Sequence, residues 1–496
     1  MSELKTKASA GVKFTSLSVA SVSLLQIIQL IVLGRLLGPE IFGLIALIQI
    51  VIQFSQLLMD MGITDAIVHK KKISRTSLSS LYWFSIVAGV VLFCLLLAAA
   101  PFIAGAFRAP ELTMMIQVVG ISFIIIPFGL QFQTLAVKRM EFKDLTKVEV
   151  FAAVCGTVVT LSLVIFFHIG VWAVVWGYLA MVVTKTIPWI IIGFRDIESK
   201  PDIEFSWSAI KELVSFGMYR LGATAANTVN TKIDQIVIGV MLGPQLLAFY
   251  SMAINLVMQP VQKLNPVITK LSLPIFSQIQ NDKKRLKKWY LFVIHLLMVL
   301  NAPLYAGLAL LAPFAVPLLL GEEWTSIIGL VQILCIYALF RSLGNPSGSL
   351  FIAVGKVRWS FYWQLSLLVV VPAVVYVSAL TGDIAVVAVA MAALRIFLFY
   401  LNYAIRIRLI IGDCLGELSR TIAMPLLHAC IMAISLSGML WLMPETGNIQ
   451  LLLITIVSGA VIYSVLLLFF EKDLVGDIKG LVRKKTVDQQ AGGGIR

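Results

Sequence analysis

The stretch Asn230–Tyr250, NTKIDQIVIGVMLGPQLLAFY, carries two charged residues, Lys232 and Asp234, near its start and continues as an apolar run. The chain repeats the pattern earlier, in VSLLQIIQLIVLGRLLGPEIFGL: the triplet Leu37–Pro39 matches Leu242–Pro244 at an offset of 205 positions. Such an internal repeat indicates two related halves. Lys232 and Asp234 would be costly in hydrocarbon. The arrangement of the two halves must therefore give these charges water or a partner.

Composition identifies an integral membrane protein. Of 496 residues, 59% are apolar and 13% charged, whereas soluble domains are about a quarter charged. About 20 apolar residues form one helical crossing, and the runs are too long for barrel strands. We predict an all-α fold of about fourteen membrane-spanning helices. Their centres lie near Gln26, Gln53, Ala88, Phe123, Thr160, Trp176, Thr224, Met258, Leu300, Leu334, Val369, Ala390, Ile431 and Ile456.

The repeat predicts two pseudo-symmetric six-helix lobes followed by an extra helix pair. The first apolar run is too long for a signal peptide, so we predict that it is retained. The predicted parts are an N-terminal lobe at 1–195, a cytoplasmic linker at 196–211, a C-terminal lobe at 212–408, the extra pair at 419–470 and a cytoplasmic tail at 471–496.

Basic residues are concentrated in the loops of one side. With a cytoplasmic amino terminus and fourteen crossings, about 31 of the 39 Lys and Arg residues lie on the cytoplasmic side, as the positive-inside rule requires. Both termini are then cytoplasmic. Basic loops facing anionic lipids explain the net charge of +14 without a nucleic-acid partner.

The sequence offers no catalytic or metal-binding motif. The five cysteines are scattered, without a Cys-x-x-Cys pair or clustered histidines, so we expect neither disulfides nor a metal site. The predicted external loops are short, and a solvated loop explains the adjacent Glu322 and Glu323. A nucleophile elbow and a P-loop are both missing. We predict a transporter without a cofactor rather than an enzyme.

Four helices carry polar stripes at helical spacing. Lipid would reject such faces, because an unpaired polar group in hydrocarbon costs several kcal/mol. We predict that they line a cleft between the lobes, where they bind substrate. The stripes are Arg220, Thr224, Asn227, Thr231 and Asp234 on the seventh helix; Thr15, Val19, Val22, Gln26 and Gln29 on the first; Gln49, Gln53, Gln56 and Asp60 on the second; and Asn255, Gln259 and Gln262 on the eighth.

Charged residues within spans allow two interpretations each. Lys232 either faces the hydrated cleft or reaches the interface by snorkelling. Arg220 lies deeper, which favours a cavity role. Asp60 and Asp234 are candidates for ion coupling or gating, although Asp60 could equally serve as a helix-terminal structural residue. Lys185 and Lys263 lie near cytoplasmic helix ends, where snorkelling is favoured.

Two further arginines lie deep within predicted spans. Arg341 precedes GNPSG, where glycine and proline are expected to interrupt the tenth helix. For Arg341 and Arg395, a substrate-binding role in the cavity and packing against backbone carbonyls of neighbouring helices remain equal alternatives.

Several segments resemble a transporter family. DQIVIGVMLGPQLLAFYSMA, from Asp234, resembles the signature that opens the second half of Wzx-type polysaccharide repeat-unit flippases, the group that includes colanic acid exporters. LGRLLGPEIFGLIAL, DMGITDAIVHKKKISRTSLSSLYW, PFGLQFQTLAVKRMEFKDL and ALFRSLGNPSGSLFIAVGK extend the resemblance through much of the chain. These flippases belong to the multidrug/oligosaccharidyl-lipid/polysaccharide exporter superfamily.

The resemblance implies that undecaprenyl-pyrophosphate-linked oligosaccharide moves to the outer leaflet of the bacterial inner membrane by alternating access. Family cavities are cationic, and Arg220 fits this; the uncharged stripe of the first helix departs from it. Arginine can pair bidentately with phosphate, and amides and hydroxyls can bind sugars. Polysaccharide polymerase machinery is an implied partner, and the two-lobe repeat makes a monomer sufficient.

Three other functions stay open. A lipid II flippase is the nearest, because the extra helix pair also occurs there and forms a groove for the lipid tail. A drug or cation exporter of the same superfamily would favour acidic and aromatic pocket residues. A glycan polymerase or ligase would need catalytic residues in an external loop.

Overall fold

The computed structural model describes residues 2–70, 73–196, 200–442 and 449–471. The side chains of residues 2–13, and the predicted tail beyond Glu471, lie outside this description. Within the described ranges, regular structure is entirely helical. The predicted all-α membrane fold is confirmed: in the part of the chain that the structure describes, eleven helices, or twelve with one bent pair, are long and apolar enough to cross a bilayer.

The helices follow one another with short connections. In chain order they are α1 (Ser2–Asp60), α2 (Ile63–His69), α3 (Arg75–Ala106), α4 (Leu112–Gly120), α5 (Ser122–Ile125), α6 (Pro127–Lys138), α7 (Phe142–Phe167), α8 (Val171–Arg195), α9 (Trp207–Gln278), α10 (Lys283–Leu320), α11 (Ile328–Leu343), α12 (Asn345–Ala353), α13 (Val357–Ala379), α14 (Ile384–Asn402), α15 (Arg408–Ile411), α16 (Leu415–Leu442) and α17 (Ile449–Phe470). A 3₁₀ turn, Glu322–Ile327, precedes α11, and a π-helical turn, Tyr403–Ile407, joins α14 to α15. As expected from GNPSG, the tenth span is divided, at Gly344.

Two helices are long enough for two crossings each. Phe14–Asp60 has 47 residues and Trp207–Lys263 has 57, against about 20 for a single crossing. The predicted number of fourteen spans stays a prediction. The eleven helices give fourteen spans if each of the two long helices is counted as two spans and the bent pair at 112–138 is added as one span.

The repeated Leu-Gly-Pro triplet bends both long helices in the same way. Gly38 has φ 64° and ψ 175°, and Gly243 has φ 86° and ψ 175°. Glycine alone adopts such angles readily. The following proline lacks the N–H that would continue the helix. Each long helix therefore consists of two arms, one on either side of its kink.

The two arms of α9 fold back on each other. The hydroxyl of Tyr250 donates a hydrogen bond of 2.9 Å to Asp234 Oδ2, across the kink at Gly243. In a straight helix, residues 16 positions apart would be separated by about 24 Å. The bond is therefore possible only because the chain reverses direction.

The helices form two compact units. Within the described ranges, the first comprises 2–251, 319–324 and 363–384, and the second comprises 252–318, 325–362 and 385–471. The division of the chain into two lobes, a linker, an extra helix pair and a tail stays a prediction.

Polar contacts fix α1 along α7 in the first unit. Ser18 donates to Glu149 at 3.0 Å, Thr146 donates to the carbonyl of Phe14 at 3.1 Å, and Thr157 donates to Gln29 at 3.3 Å. These contacts satisfy polar groups that lipid would leave without a partner.

The segment that follows α8 is bound to the start of α3 in the same unit. Asp202 pairs with Arg75 at 2.7 Å, and its backbone carbonyl accepts from the indole of Trp83 at 2.9 Å. The backbone N–H groups of Asp202 and Ser206 donate to two serines of α3. Part of the predicted linker at 196–211 is thus attached to this unit rather than extended.

Small residues bring α7 and α8 together. A Cβ on Gly177 would lie 2.9 Å from the carbonyl oxygen of Gly156 and 3.0 Å from Cβ of Thr160. Close approach of backbones through small residues is the usual way for helices to associate in lipid. This contact therefore depends on the missing side chain at position 177.

We predict that Gly177→Leu lowers the thermal stability of the detergent-solubilised protein by roughly 1–3 kcal/mol, because overpacking forces the helices apart. The control is Gly438→Leu, since no atom lies within 4 Å of a Cβ placed there. Equal melting temperatures for both variants would contradict the close packing of α7 on α8.

Candidate functional site

The second arm of α1 and the first arm of α9 meet at both ends within the first unit, through Gly62, which follows α1, and through Pro244, which follows the α9 kink. At one end, a Cβ on Gly62 would lie 2.8 Å from Cα of Gly217. At the other, a Cβ on Gly43 would lie 2.6 Å from the carbonyl carbon of Pro244. The contacts run in opposite directions along the two sequences, so the arms are antiparallel. We name this pair of arms the seam.

The two arms differ in the length of sequence between these contacts. Positions 43 and 62 are 19 residues apart, whereas positions 217 and 244 are 27 apart.

Most predicted site residues of the first unit lie on these arms. Gln49, Gln53 and Gln56 belong to the α1 arm, between its two contacts, and Asp60 ends it. The α9 arm carries Arg220, Thr224, Asn227, Thr231, Lys232 and Asp234.

Burial differs along the two stripes. Arg220, Thr224, Asn227 and Gln56 are exposed, whereas Gln49, Gln53, Asp60, Thr231 and Lys232 are partly buried. The exposed polar side chains lie toward the end of the seam at Gly62 and Gly217.

The first arm of α1 contributes differently. Gln26 is exposed, while Gln29 accepts the hydrogen bond from Thr157 of α7. One of the two predicted amides is therefore engaged in helix packing, and the other is available to a ligand.

The two charges at the start of the NTKIDQ stretch are held locally. Asp234 is buried, with 3% of its surface exposed, and accepts from Tyr250 and from the N–H of Gln235. Lys232 donates to the side chain of Gln235 at 3.3 Å. Asp234 thus connects the two arms of α9. Its ion-coupling role, like that of Asp60, stays a prediction.

The second unit brings Arg341 and Arg395 to one tyrosine. Arg341 Nη1 donates to the hydroxyl of Tyr337 at 2.6 Å, and Arg395 Nη2 donates to the same oxygen at 3.3 Å. Their guanidinium carbons lie 5.8 Å and 5.1 Å from the ring centroid, within cation–π range. Arg395 Nε is buried without a hydrogen-bond partner among the described residues. Two positive groups thus converge inside a membrane span.

The neighbouring polar groups of this unit are buried and paired. Asn301 donates to Asn265 at 3.3 Å, and Asn265 donates to the carbonyl of Ser342 at 3.3 Å, next to Arg341. Of the predicted amides on α9 here, Gln259 is partly buried and Gln262 is exposed.

The sequence-based predictions missed the positions of three residues with polar groups. Asn230 donates to Gln364 of α13 at 3.1 Å, a pairing that no spacing rule predicts. Arg406 is buried in the π-helical turn, and its guanidinium carbon lies 3.9 Å from the ring centroid of Phe351. Trp324 is fully buried although it lies in a predicted external loop. A π-helical turn often marks a functional position, but its sequence, YAIRI, carries no distinctive signal.

Metal binding finds no support in the described part of the chain. There, no group of three or more His, Cys, Asp or Glu residues is arranged to hold a metal ion. Apart from the carboxylates of Asp60 and Asp234 and the ammonium group of Lys232, the predicted site residues on the two arms carry amides, hydroxyls and a guanidinium group, which are types that can bind sugars and phosphates.

Comparison with known proteins identifies the family. Residues 32–329, more than half of the chain, match the family model described as polysaccharide biosynthesis protein. The chain belongs to the polysaccharide biosynthesis protein family. The matched region includes both Leu-Gly-Pro kinks and the whole seam. The resemblance given by the sequence motifs is thereby confirmed.

Relatives within this family come from distant bacteria. The chain is 29% identical over 411 residues to the lipopolysaccharide biosynthesis protein WzxC of Escherichia coli (strain K12), covering 83% of each chain. It is 29% identical over 466 residues to the teichuronic acid biosynthesis protein TuaB of Bacillus subtilis (strain 168), covering 92% of this chain and 94% of TuaB.

The fold is shared with a solved transporter. The lipid II flippase MurJ, in an inward closed conformation, superposes with a TM-score of 0.76 at 13% sequence identity. The match covers 94% of this chain and all of the MurJ chain. At this identity the similarity establishes the fold alone: the protein is a multi-span membrane protein with a transporter architecture.

We predict that Tyr250→Phe lowers the thermal stability of the purified protein by about 1–3 kcal/mol, because buried Asp234 loses a hydrogen-bond donor. Asp234→Asn retains an acceptor for the Tyr250 hydroxyl and should lower the thermal stability by a smaller amount. Tyr219→Phe is the control, since Tyr219 is 82% exposed. If Tyr250→Phe has the same melting temperature as the control, the bond between Tyr250 and Asp234 does not hold the arms of α9 together.

Proposed function

We propose that this protein is a flippase that moves undecaprenyl-pyrophosphate-linked oligosaccharide units from the cytoplasmic to the outer leaflet by alternating access. Family membership, together with a fold shared with a lipid II flippase, carries this proposal. The exported units would serve the synthesis of exopolysaccharide, capsule or O-antigen-type polymers. WzxC and TuaB, both named for bacterial surface polysaccharides, support that destination.

We assign the seam to the sugar head group. Its two arms carry amides and hydroxyls at helical spacing, and exchangeable hydrogen bonds of this type suit sugars of varied composition. Arg220 adds a positive charge near the end of the seam at Gly62 and Gly217. A substrate that is partly sugar and partly phosphate needs both kinds of group.

The arginine pair of the second unit is the favoured site for phosphate. Arg341 and Arg395 converge on Tyr337, and Arg395 has an unused Nε donor among the described residues. A guanidinium group forms paired hydrogen bonds with phosphate oxygens. A diphosphate would also neutralise the two charges that these spans bring into the membrane.

We further infer that the protein lies in the bacterial cytoplasmic membrane with both termini in the cytoplasm. The clustering of basic residues in alternate loops supports this orientation. Anionic lipids would contact those loops. Polymerase machinery would receive the exported units, and a monomer contains the complete seam. The proposal excludes a catalytic role, because the chemical structure of the substrate does not change.

A lipid II flippase is the second candidate, favoured by the fold shared with MurJ. The two candidates differ in the glycan that accumulates when the protein is missing. We expect the oligosaccharide unit of a surface polysaccharide rather than a peptidoglycan precursor.

The proposal is tested by locating lipid-linked oligosaccharide in cells that lack the protein. We predict accumulation of the single unit on the cytoplasmic leaflet, detected by mass analysis of extracted lipid and by missing label when glycans are tagged from outside. Arg395→Gln should reduce the exported amount by roughly 10-fold to 100-fold, the loss expected for a charge-assisted hydrogen bond.

Arg358→Gln is the matched control, because Arg358 is exposed at the start of α13. Normal outer-leaflet units with polymer alone missing would overturn translocation and favour a polymerase or ligase. Accumulated peptidoglycan precursor would instead support the lipid II alternative.

A further inference from the structure

The segment between α10 and α11 lies between the two kinked helices. Its residues 321–324, which we name the strap, belong with the neighbouring 319–320 to the first unit. The strap begins at Gly321, whose φ of 106° lets the chain turn sharply after α10. It ends at Trp324, whose side chain is fully buried. A fully buried tryptophan in a short loop indicates that its side chain occupies a specific position in the fold, which we call its seat.

Trp324 contacts both halves of the repeat. Its indole N–H donates to the carbonyl of Gly34 at 2.8 Å, just before the α1 kink. Its ring packs edge-on against Phe42 of α1, at 5.4 Å between centroids, and against Phe249 of α9, at 6.2 Å. Phe42 and Phe249 each lie shortly after a Leu-Gly-Pro kink. The indole thus joins the two kinks directly.

The rest of the strap reinforces this position. A Cβ on Gly38 would lie 2.7 Å from Oε2 of Glu323, so the carboxylate covers the α1 kink. The close contact of Gly43 with Pro244 lies at the same end of the seam. At the opposite end, Gly62 touches Gly217. Both ends of the seam are therefore closed in this structure.

We propose that Trp324 closes the outer end of the seam and must leave its seat before substrate can exit. The inference rests on the proposed function and on the orientation proposed with it, in which the kinks face outward. Tryptophan suits this task because its large ring fills the space between the kinks, while one N–H donor fixes its orientation. Gly62 and Gly217 form the inner counterpart, where close backbone contact allows closure without a side chain.

The strap also connects this end of the seam to other helices through the chain itself. It follows α10 directly and leads, through the rest of the 3₁₀ turn, into α11.

The test measures access from outside rather than export. Cysteine replaces Asn227, an exposed residue of the α9 arm, in a chain whose native cysteines are replaced by serine. Intact cells are then treated with a membrane-impermeant maleimide. We expect Trp324→Ala to raise the labelling rate about tenfold, because lost ring contacts and a lost hydrogen bond shift a two-state equilibrium by that order. Trp324→Phe keeps a ring but loses the hydrogen-bond donor, so its labelling rate should lie between those of the unaltered protein and Trp324→Ala.

Trp441→Ala is the matched control, since Trp441 is 86% exposed, and it should leave labelling unchanged. If Trp324 is only a core residue, Trp324→Ala will lower the melting temperature without changing labelling, which overturns the proposal. Should that variant fail to accumulate, unchanged labelling of Trp324→Phe overturns it as well.

Labelling requires no substrate, so this test is independent of the export test. If the Trp324 variants change labelling as expected but the protein exports no oligosaccharide, the proposed function is refuted and the inference about Trp324 stands.

Discussion

Hydrocarbon supplies no hydrogen-bond partner, and this constraint organises the whole molecule. A polar group in a membrane span must find a partner inside the protein or face water. The structure uses both solutions on a single helix. Asp234 is buried and bound by Tyr250, whereas Asn227 is exposed on the same arm of α9. The first solution fixes the shape of the helix, and the second leaves chemistry for a ligand.

The two halves of the repeat share their geometry but differ in their use of it. Gly38 and Gly243 produce equivalent kinks. The second half adds charge to its stripe, and the sequence between its two contacts with the α1 region is eight residues longer than the corresponding stretch of the first half.

The same asymmetry extends to positive charge. Arg220 lies in the first unit, and the Arg341–Arg395 pair lies in the second. A diphosphate has a compact, high charge, whereas sugars offer many weak hydrogen bonds. Within each unit, the guanidinium groups are of the type that suits phosphate, and the amides and hydroxyls are of the type that suits sugars.

Sequence reasoning succeeded where the signal was local or periodic. The apolar runs predicted the helices, the Leu-Gly-Pro triplets revealed the repeat, and quoted motifs led to the correct family. It could not find the partner of Asp234, because Tyr250 becomes a neighbour only after the chain reverses at Gly243. Trp324 was missed for a related reason: a loop residue carries no periodicity, and its burial depends on two segments nearly 300 positions and about 75 positions away.

The central claim is translocation, and purified protein in lipid vesicles tests it most directly. Undecaprenyl-pyrophosphate-linked oligosaccharide would be incorporated into both leaflets, with an ion gradient imposed in either direction, and a glycosidase added outside would report the accessible fraction. We expect the protein to bring inner-leaflet sugar to the enzyme, and Arg395→Gln to do so far more slowly. Folded protein that leaves the protected fraction equal to that of protein-free vesicles would contradict the account.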